Sequence, residues 1–182
     1  MRWEFEPGHT GAEFCCRHMM VTWVRGHLKN IRGEMEFDPA DPAAATVRAT
    51  IDAAKLWTDE ADRDAHLRSA DFLDAERHPT LAFVSARVDV LTAHRYRVAG
   101  DLTIRGVTRP AVLQVEYLGQ WETPFWVDGV DKGPMTRAGF VATTTINRHD
   151  FGVSWNAALD RGGVVVGDEV FITLDVEALR TS

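Results

Sequence analysis

Cys15, Cys16 and His18 fall within one four-residue span, and a nucleophile would be sought there first. A thiolate needs an accessible, electropositive setting with a base in reach. The surrounding segment alternates instead. On an extended strand Phe14, Cys16, His18 and Met20 share an apolar face, and Cys15 turns outward with Arg17. That pattern predicts a packed small hydrophobe at Cys16, not a catalytic thiol. Opposed faces also argue against a disulfide between the two neighbours.

Other chemistry is sparser. The seven histidines, His9, His18, His27, His66, His78, His94 and His149, show no HxH or HExxH spacing, and there is no CxxC. No metal and no cofactor are therefore expected. The 27 carboxylates are spread along the chain, so no acid–base pair stands out. GxSxG, the P-loop and GxGxxG are absent. His18 on an apolar face and His66 at a helix-to-strand corner read either as satisfied core groups or as polar handles in an apolar pocket. The stretch INRHDFGVSWN, 146–156, breaks alternation and reads as a hydrogen-bonded loop plugging the end of a barrel.

The elements that would position these groups are strands. Ile31, Gly33, Met35 and Phe37 alternate with charged residues. Val47, Ala49 and Ile51 do the same, as do Tyr96, Val98, Gly100, Leu102 and Ile104. Further runs carry Leu113, Val115 and Tyr117, then Ala138, Phe140 and Ala142, then Val170, Ile172 and Leu174. Each predicts a strand with one wet and one dry face. A hairpin is expected at 104–108, a turn at 166–170 and a proline-bearing loop at 37–46. Residues 58–71 predict a short helix capped by Thr58, with pairs Asp59–Arg63 and Asp64–Arg68. Seven or eight strands and one thin helix mean a β-sandwich or a closed antiparallel barrel.

Composition narrows the function classes. The chain has 182 residues, enough for a single domain over 1–182 with a sizeable core. Its net charge of -7 argues against nucleic-acid binding and against electrostatic docking on an anionic membrane. No stretch is long enough for a transmembrane helix, the N-terminus is polar, and a cytoplasmic protein is expected.

Taken in order, several blocks resemble the YceI-like polyisoprenoid-binding proteins. They are W-x-F-x-P-x-H-T from Trp3 to Thr10, F-x-x-R-H-M-M-V from Phe14 to Val21, and RDAHLRSADFLD with HPTLAFVS. GDLTIRGVTRPAVL and RAGFVATTTINRHDFGVSWN complete the series. The resemblance implies an all-β, extended, eight-stranded, lipocalin-like antiparallel barrel with one or two short helices. It implies a long-chain polyisoprenoid lipid or isoprenoid quinone stored or carried in the interior, without catalysis. It also implies a homodimer, and relatives that are often exported; transient membrane contact is a separate expectation, carried by the aromatic residues of 119–136. On the family reading Phe14, His18, Met20, Trp23, Ile51, Leu67, Phe72, Phe83, Leu102, Ile104, Phe140 and Trp155 line the tunnel. Arg63, His66 and Arg148 stand near the ligand head. The alternative is an enzyme acting on an amphiphilic lipid head with His18 or His66 as base. Segment 119–136, rich in Trp, Gly and Pro, is expected to be a mobile aromatic rim.

Overall fold

The computed structural model describes residues 1–181. Its strands in chain order are β1 (Arg2–Phe5), β2 (Gly11–His18), β3 (Thr22–Lys29), β4 (Arg32–Glu36), β5 (Thr46–Asp52), β6 (Leu56–Trp57), β7 (Thr80–Val90), β8 (Arg95–Ile104), β9 (Val107–Val127), β10 (Val130–Asn147) and β11 (Val166–Arg180). One helix, α1 (Ala61–Arg68), lies between β6 and β7. The pairings run β1-β4-β5-β7-β8-β9-β10-β11, and β1 pairs back onto β11, closing an eight-stranded antiparallel barrel. The early part of β11 also pairs with β2, which leads on to β3 and β6. Every strand of that ring thus has a partner on both sides over at least part of its length.

Alternation decides the inside. Ile31, Met35, Phe37, Tyr96, Val98, Ile104, Tyr117, Ala138, Phe140 and Ala142 are all buried, as the dry faces predict. The expected hairpin joins β8 to β9 through Arg105 and Gly106, both at positive φ (51° and 71°), with Ile104 opposite Val107. Mirror-image turns of this kind match the twist of the strands they connect.

Three expectations are corrected. The helix is shorter than 58–71, and its N-cap is Glu60, whose carboxylate accepts from the backbone N–H of Asp62 and Arg63. Thr58 lies outside it, and Asp59 has a left-handed φ of 63° that ends its pairing with Arg63 as a helical couple. Residues 166–170 are not a turn but an irregularity within β11, where the register against β2 slips. Segment 119–136 is not a loop. It is the distal part of one long β9–β10 hairpin turned by Asp128-Gly129 at φ 51° and 76°. Pro124 and Pro134 face each other there, and Arg137 ties the hairpin down by bonding Glu177 Oε1 at 2.7 Å and the Pro124 carbonyl at 2.8 Å.

The interior has two unlike ends. At one, Trp3, Met35, Phe37, Phe83, Tyr96, Val98, Tyr117 and Phe140 form a solid cluster. Phe37 sits edge-on to Tyr117 at 5.0 Å and Phe140 at 5.1 Å, and Trp3 Nε1 donates to the Phe37 carbonyl at 3.0 Å. Burial raises the pKa of both tyrosine phenols at this end. At the other end the side chains surround a space.

Candidate functional site

The space is a cavity of about 210 Å³. Phe14 and Cys16 of β2, Leu28 of β3, Ile51 of β5, Leu81 and Phe83 of β7, Leu102 and Ile104 of β8, Ile146 of β10 and Ile172 and Leu174 of β11 form its wall. Leu67 of α1 and Phe72 and Leu73 beyond it close one side. The strand residues reach it because each lies on the inward parity of its strand. Gly26 shows how tightly the wall is shaped: a Cβ there would stand 2.3 Å from the Phe14 ring, so only glycine lets that ring lie flat on β3.

Polar atoms are rare on the wall. Cys16, Thr144 and Arg148 are the polar side chains among the lining residues. The Cys16 thiol donates to the Gly167 carbonyl at 3.3 Å. Burial pushes its pKa up, although the Arg148 charge partly opposes this. That setting favours the neutral thiol over the thiolate a nucleophile needs. Cys15 is also free.

Arg148 opens the one-turn segment Arg148–Phe151 after β10, which Gly152 ends at a left-handed φ of 72°. Arg148 as a whole is 4% exposed. It donates to the carbonyls of Gly167 (2.7 Å), Val153 (2.7 Å), Trp155 (2.9 Å) and Val166 (3.2 Å). Burial lowers its pKa from the ordinary value, with the charges of Cys16 and Asp168 acting the other way. Phe151 and Val153 are buried behind it, so the 146–156 stretch does seal this end as a hydrogen-bonded loop.

The other expected residues are placed elsewhere. His18 ends β2 opposite Val166 and Thr22 and is not on the cavity wall. Met20 is 53% exposed, because Met19 and Met20 take positive φ (47° and 61°) and the chain leaves the strand before alternation can bring Met20 inside. Trp23 has the outward parity of β3, packing edge-on to Phe171 at 5.6 Å with the Arg17 guanidinium 5.0 Å from its ring. Phe140 belongs to the solid end. Arg63 is turned away from the cavity, clamping Thr58 through its hydroxyl (2.8 Å) and carbonyl (2.9 Å). His66 bonds Asp71 at 2.8 Å and stands edge-on to Phe72 (5.0 Å) and Trp155 (4.8 Å). His66 and Trp155 thus pack on the outer side of Phe72, which does line the cavity, and are not themselves on the wall.

Two features were not foreseen. The β9–β10 pairing stops at Gln114–Thr143, and beyond it the two strands part. A groove of about 670 Å³ runs along the parting, and Thr144, Ile146, Phe151 and Ile172 line both groove and cavity. The only sequence hint is Pro110, which has no N–H to offer a neighbour. Second, His9 Nδ1 lies 3.1 Å from Glu6 and 3.5 Å from Glu177, the one trio of metal-ligand types brought together among the described residues. Glu177 is already bonded to Arg137 at 2.7 Å, and an ion-pair network accounts for the group. The distance in sequence between His9 and Glu177 hid it.

This architecture can be compared with known proteins. Residues 3–178 match the YceI-like domain. The chain belongs to the YceI-like family. A relative from Ectopseudomonas mendocina, described as a UPF0312 protein, is 36% identical over 172 residues, covering 94% of this chain and 83% of the relative. Among solved structures, the Campylobacter jejuni YCEI protein superposes with a TM-score of 0.73 at 26% identity, covering 91% of this chain and 90% of that one. Burkholderia cenocepacia BcnA shares the fold with a TM-score of 0.80 at 22% identity, over 95% of this chain and 98% of that chain. A polyisoprenoid binding domain from Saccharophagus degradans shares it at 0.64 and 11% identity, over 98% of both chains.

Proposed function

We propose that this YceI-like barrel is a non-catalytic carrier or store for an isoprenoid-type lipid, with the chain in the hollow end. The observation that carries this reading is the cavity itself, walled by aliphatic and aromatic side chains from strands all round the barrel, from α1 and from the segment after it. The polyisoprenoid binding domain with the same fold adds support. Each buried methylene contributes about 0.8 kcal/mol, so an apolar chain needs few polar contacts to be held.

Size sets a condition. A cavity of about 210 Å³ is smaller than the roughly 300–1,000 Å³ of ordinary ligand sites. A tail of tens of carbons must therefore open the seal of Phe72 and Trp155, or extend through the parting between β9 and β10. Either would also serve for loading and release. No observation favours the enzymatic alternative: His66 is engaged by Asp71 and two aromatic rings, and His18 lies off the wall. Pairing of two copies and brief membrane contact belong to the same proposal, through the exposed Trp121 and Trp126 of the long hairpin.

The test is native mass spectrometry of protein purified from its host. A retained mass that extracts into organic solvent as a prenyl lipid supports the carrier. A bare chain that also takes up no prenyl lipid in vitro rejects it.

A further inference from the structure

The turn between β2 and β3 holds bulky apolar residues where neither the backbone nor the core requires them. The Val21 N–H donates to the His18 carbonyl at 3.1 Å, and the two central residues, Met19 and Met20, take φ of 47° and 61°. Asn-Gly suits such a mirror-image turn, whereas a large side chain at positive φ is strained. The methionines are not held there by packing: Met19, Met20 and Val21 are all exposed, Val21 to 78%. Trp23 and Phe171, also exposed, continue the apolar surface along β3 and β11. The turn adjoins the hollow end. The Met19 N–H donates to the Val165 carbonyl at 2.8 Å, and the next residue, Val166, lines the cavity.

Charge is segregated in the same hairpin. Residues 14–33 carry Arg17, Arg25, Lys29 and Arg32 and no Asp or Glu, in a chain of net charge -7. Arg25 is paired with Glu13 at 3.3 Å. Arg17 bonds the Met20 carbonyl at 3.1 Å and lies over the Trp23 ring at 5.0 Å, with no carboxylate partner among the described residues. Segment 157–169 alongside contains Asp160, Arg161, Asp168 and Glu169, of which Asp168 is taken by His149 at 2.9 Å.

We propose that the Met19–Val21 turn, flanked by Trp23 and Arg17, is a docking surface for a lipid bilayer bearing anionic headgroups. It rests on the lipid-carrier reading and deepens it, naming the surface that brings the hollow end to the source of its lipid. The apolar tip enters the acyl boundary, and Trp23 and Arg17 stay at headgroup level, where amphipathic rings and long cationic side chains are most stable. A second copy is the poorer occupant, since a two-fold contact would set Arg17 and its neighbours against the same cations. The exposed Trp121 and Trp126 lie at the other end of β10 from Arg148 and the cavity.

The test is flotation of the whole protein with vesicles of phosphatidylcholine, with and without phosphatidylglycerol. The wild type is expected to bind both and to prefer the anionic ones. Met19→Asn with Met20→Gly gives the turn residues its backbone favours, so melting is expected to hold or rise while binding to both vesicles falls about tenfold or more. Arg17→Gln is expected to lose about fivefold on anionic vesicles alone. A wild type that binds neither vesicle overturns the docking surface, and so does a turn variant that binds as the wild type does. A turn variant that changes only the oligomeric state in sedimentation assigns the patch to a second copy and overturns it as well. Loss of binding in Trp121→Ala with Trp126→Ala, but not in the turn variant, moves the contact to the hairpin. An anionic preference that survives Arg17→Gln overturns the role of that charge. Uptake of a prenyl alcohol from solution, measured separately, judges the carrier reading: a wild type that binds vesicles but takes up no alcohol fails that reading and upholds the docking surface.

Discussion

The two ends of the barrel are both apolar but differ in which residues they use and in how these meet. At the solid end Phe37, Tyr96, Tyr117 and Phe140 come from the segment after β4 and from β8, β9 and β10, and their rings interlock at 5.0–6.0 Å. At the hollow end the wall is mostly Leu, Ile and Val, with Phe14 laid against Gly26 rather than into the middle. Flat rings filling the axis give a plug, and rings laid on the wall give a container. Stability should therefore reside at one end and capacity at the other.

Truncation tests this with the largest effect. Phe140→Ala leaves a hole among rings that cannot collapse, and a loss of about 3–5 kcal/mol is expected in denaturant unfolding. Leu67→Ala, at the partly buried seal of the hollow end, is expected to cost less than half of that. Equal losses would break the contrast.

Adding a methyl sharpens it. A Cβ at Gly100 would meet the Val84 carbonyl oxygen at 2.3 Å, and backbone cannot step aside. A Cβ at Gly26 would meet the Phe14 ring, which can swing into the cavity. Gly100→Ala is expected to be the more destabilising, with overpacking costs of about 1–3 kcal/mol setting the scale. Gly26→Ala should instead reduce lipid uptake. The reverse order of melting temperatures would show that the hollow end has no room.

Filling the cavity is milder for the fold. Leu102 stands where the two clusters meet. Leu102→Trp is expected to shift stability by about 1 kcal/mol while abolishing uptake of a prenyl lipid. Uptake at the wild-type level would place the ligand elsewhere. The smallest effect belongs to the hairpin. Trp121→Ala with Trp126→Ala, both 60% exposed in the parent, should leave melting almost unchanged. The expected outcome is a smaller dimer fraction in sedimentation. Unchanged dimer fraction and unchanged release rate would limit the hairpin to a scaffold.

Much of the barrel was legible because period-two alternation is a local signal that closure only confirms. The inward sets on β4, β8, β10 and β11 could be named residue by residue. Errors fell where local geometry overrode the period. The left-handed pair Met19-Met20 removed Met20, and Trp23 sits one residue out of phase with Val24, Gly26 and Leu28. The prolines and glycines of 119–136 masked the hairpin signal of Asp128-Gly129. Arg148 was singled out from its neighbours, yet its carbonyl partners come from residues 153–167 and no spacing rule announces them. The division into solid and hollow ends depends on which rings meet across the axis, a property of register between distant strands.

The central claim is that an apolar chain occupies the hollow end and stops at the aromatic plug. A crystal of the protein grown with a bromine-tipped prenyl alcohol, measured at the bromine edge, addresses it directly. The account predicts an anomalous peak inside the wall formed by Leu81, Ile104 and Leu174, with none between Phe37, Tyr117 and Phe140. A peak within the plug, or one outside the barrel with the cavity empty, would contradict it.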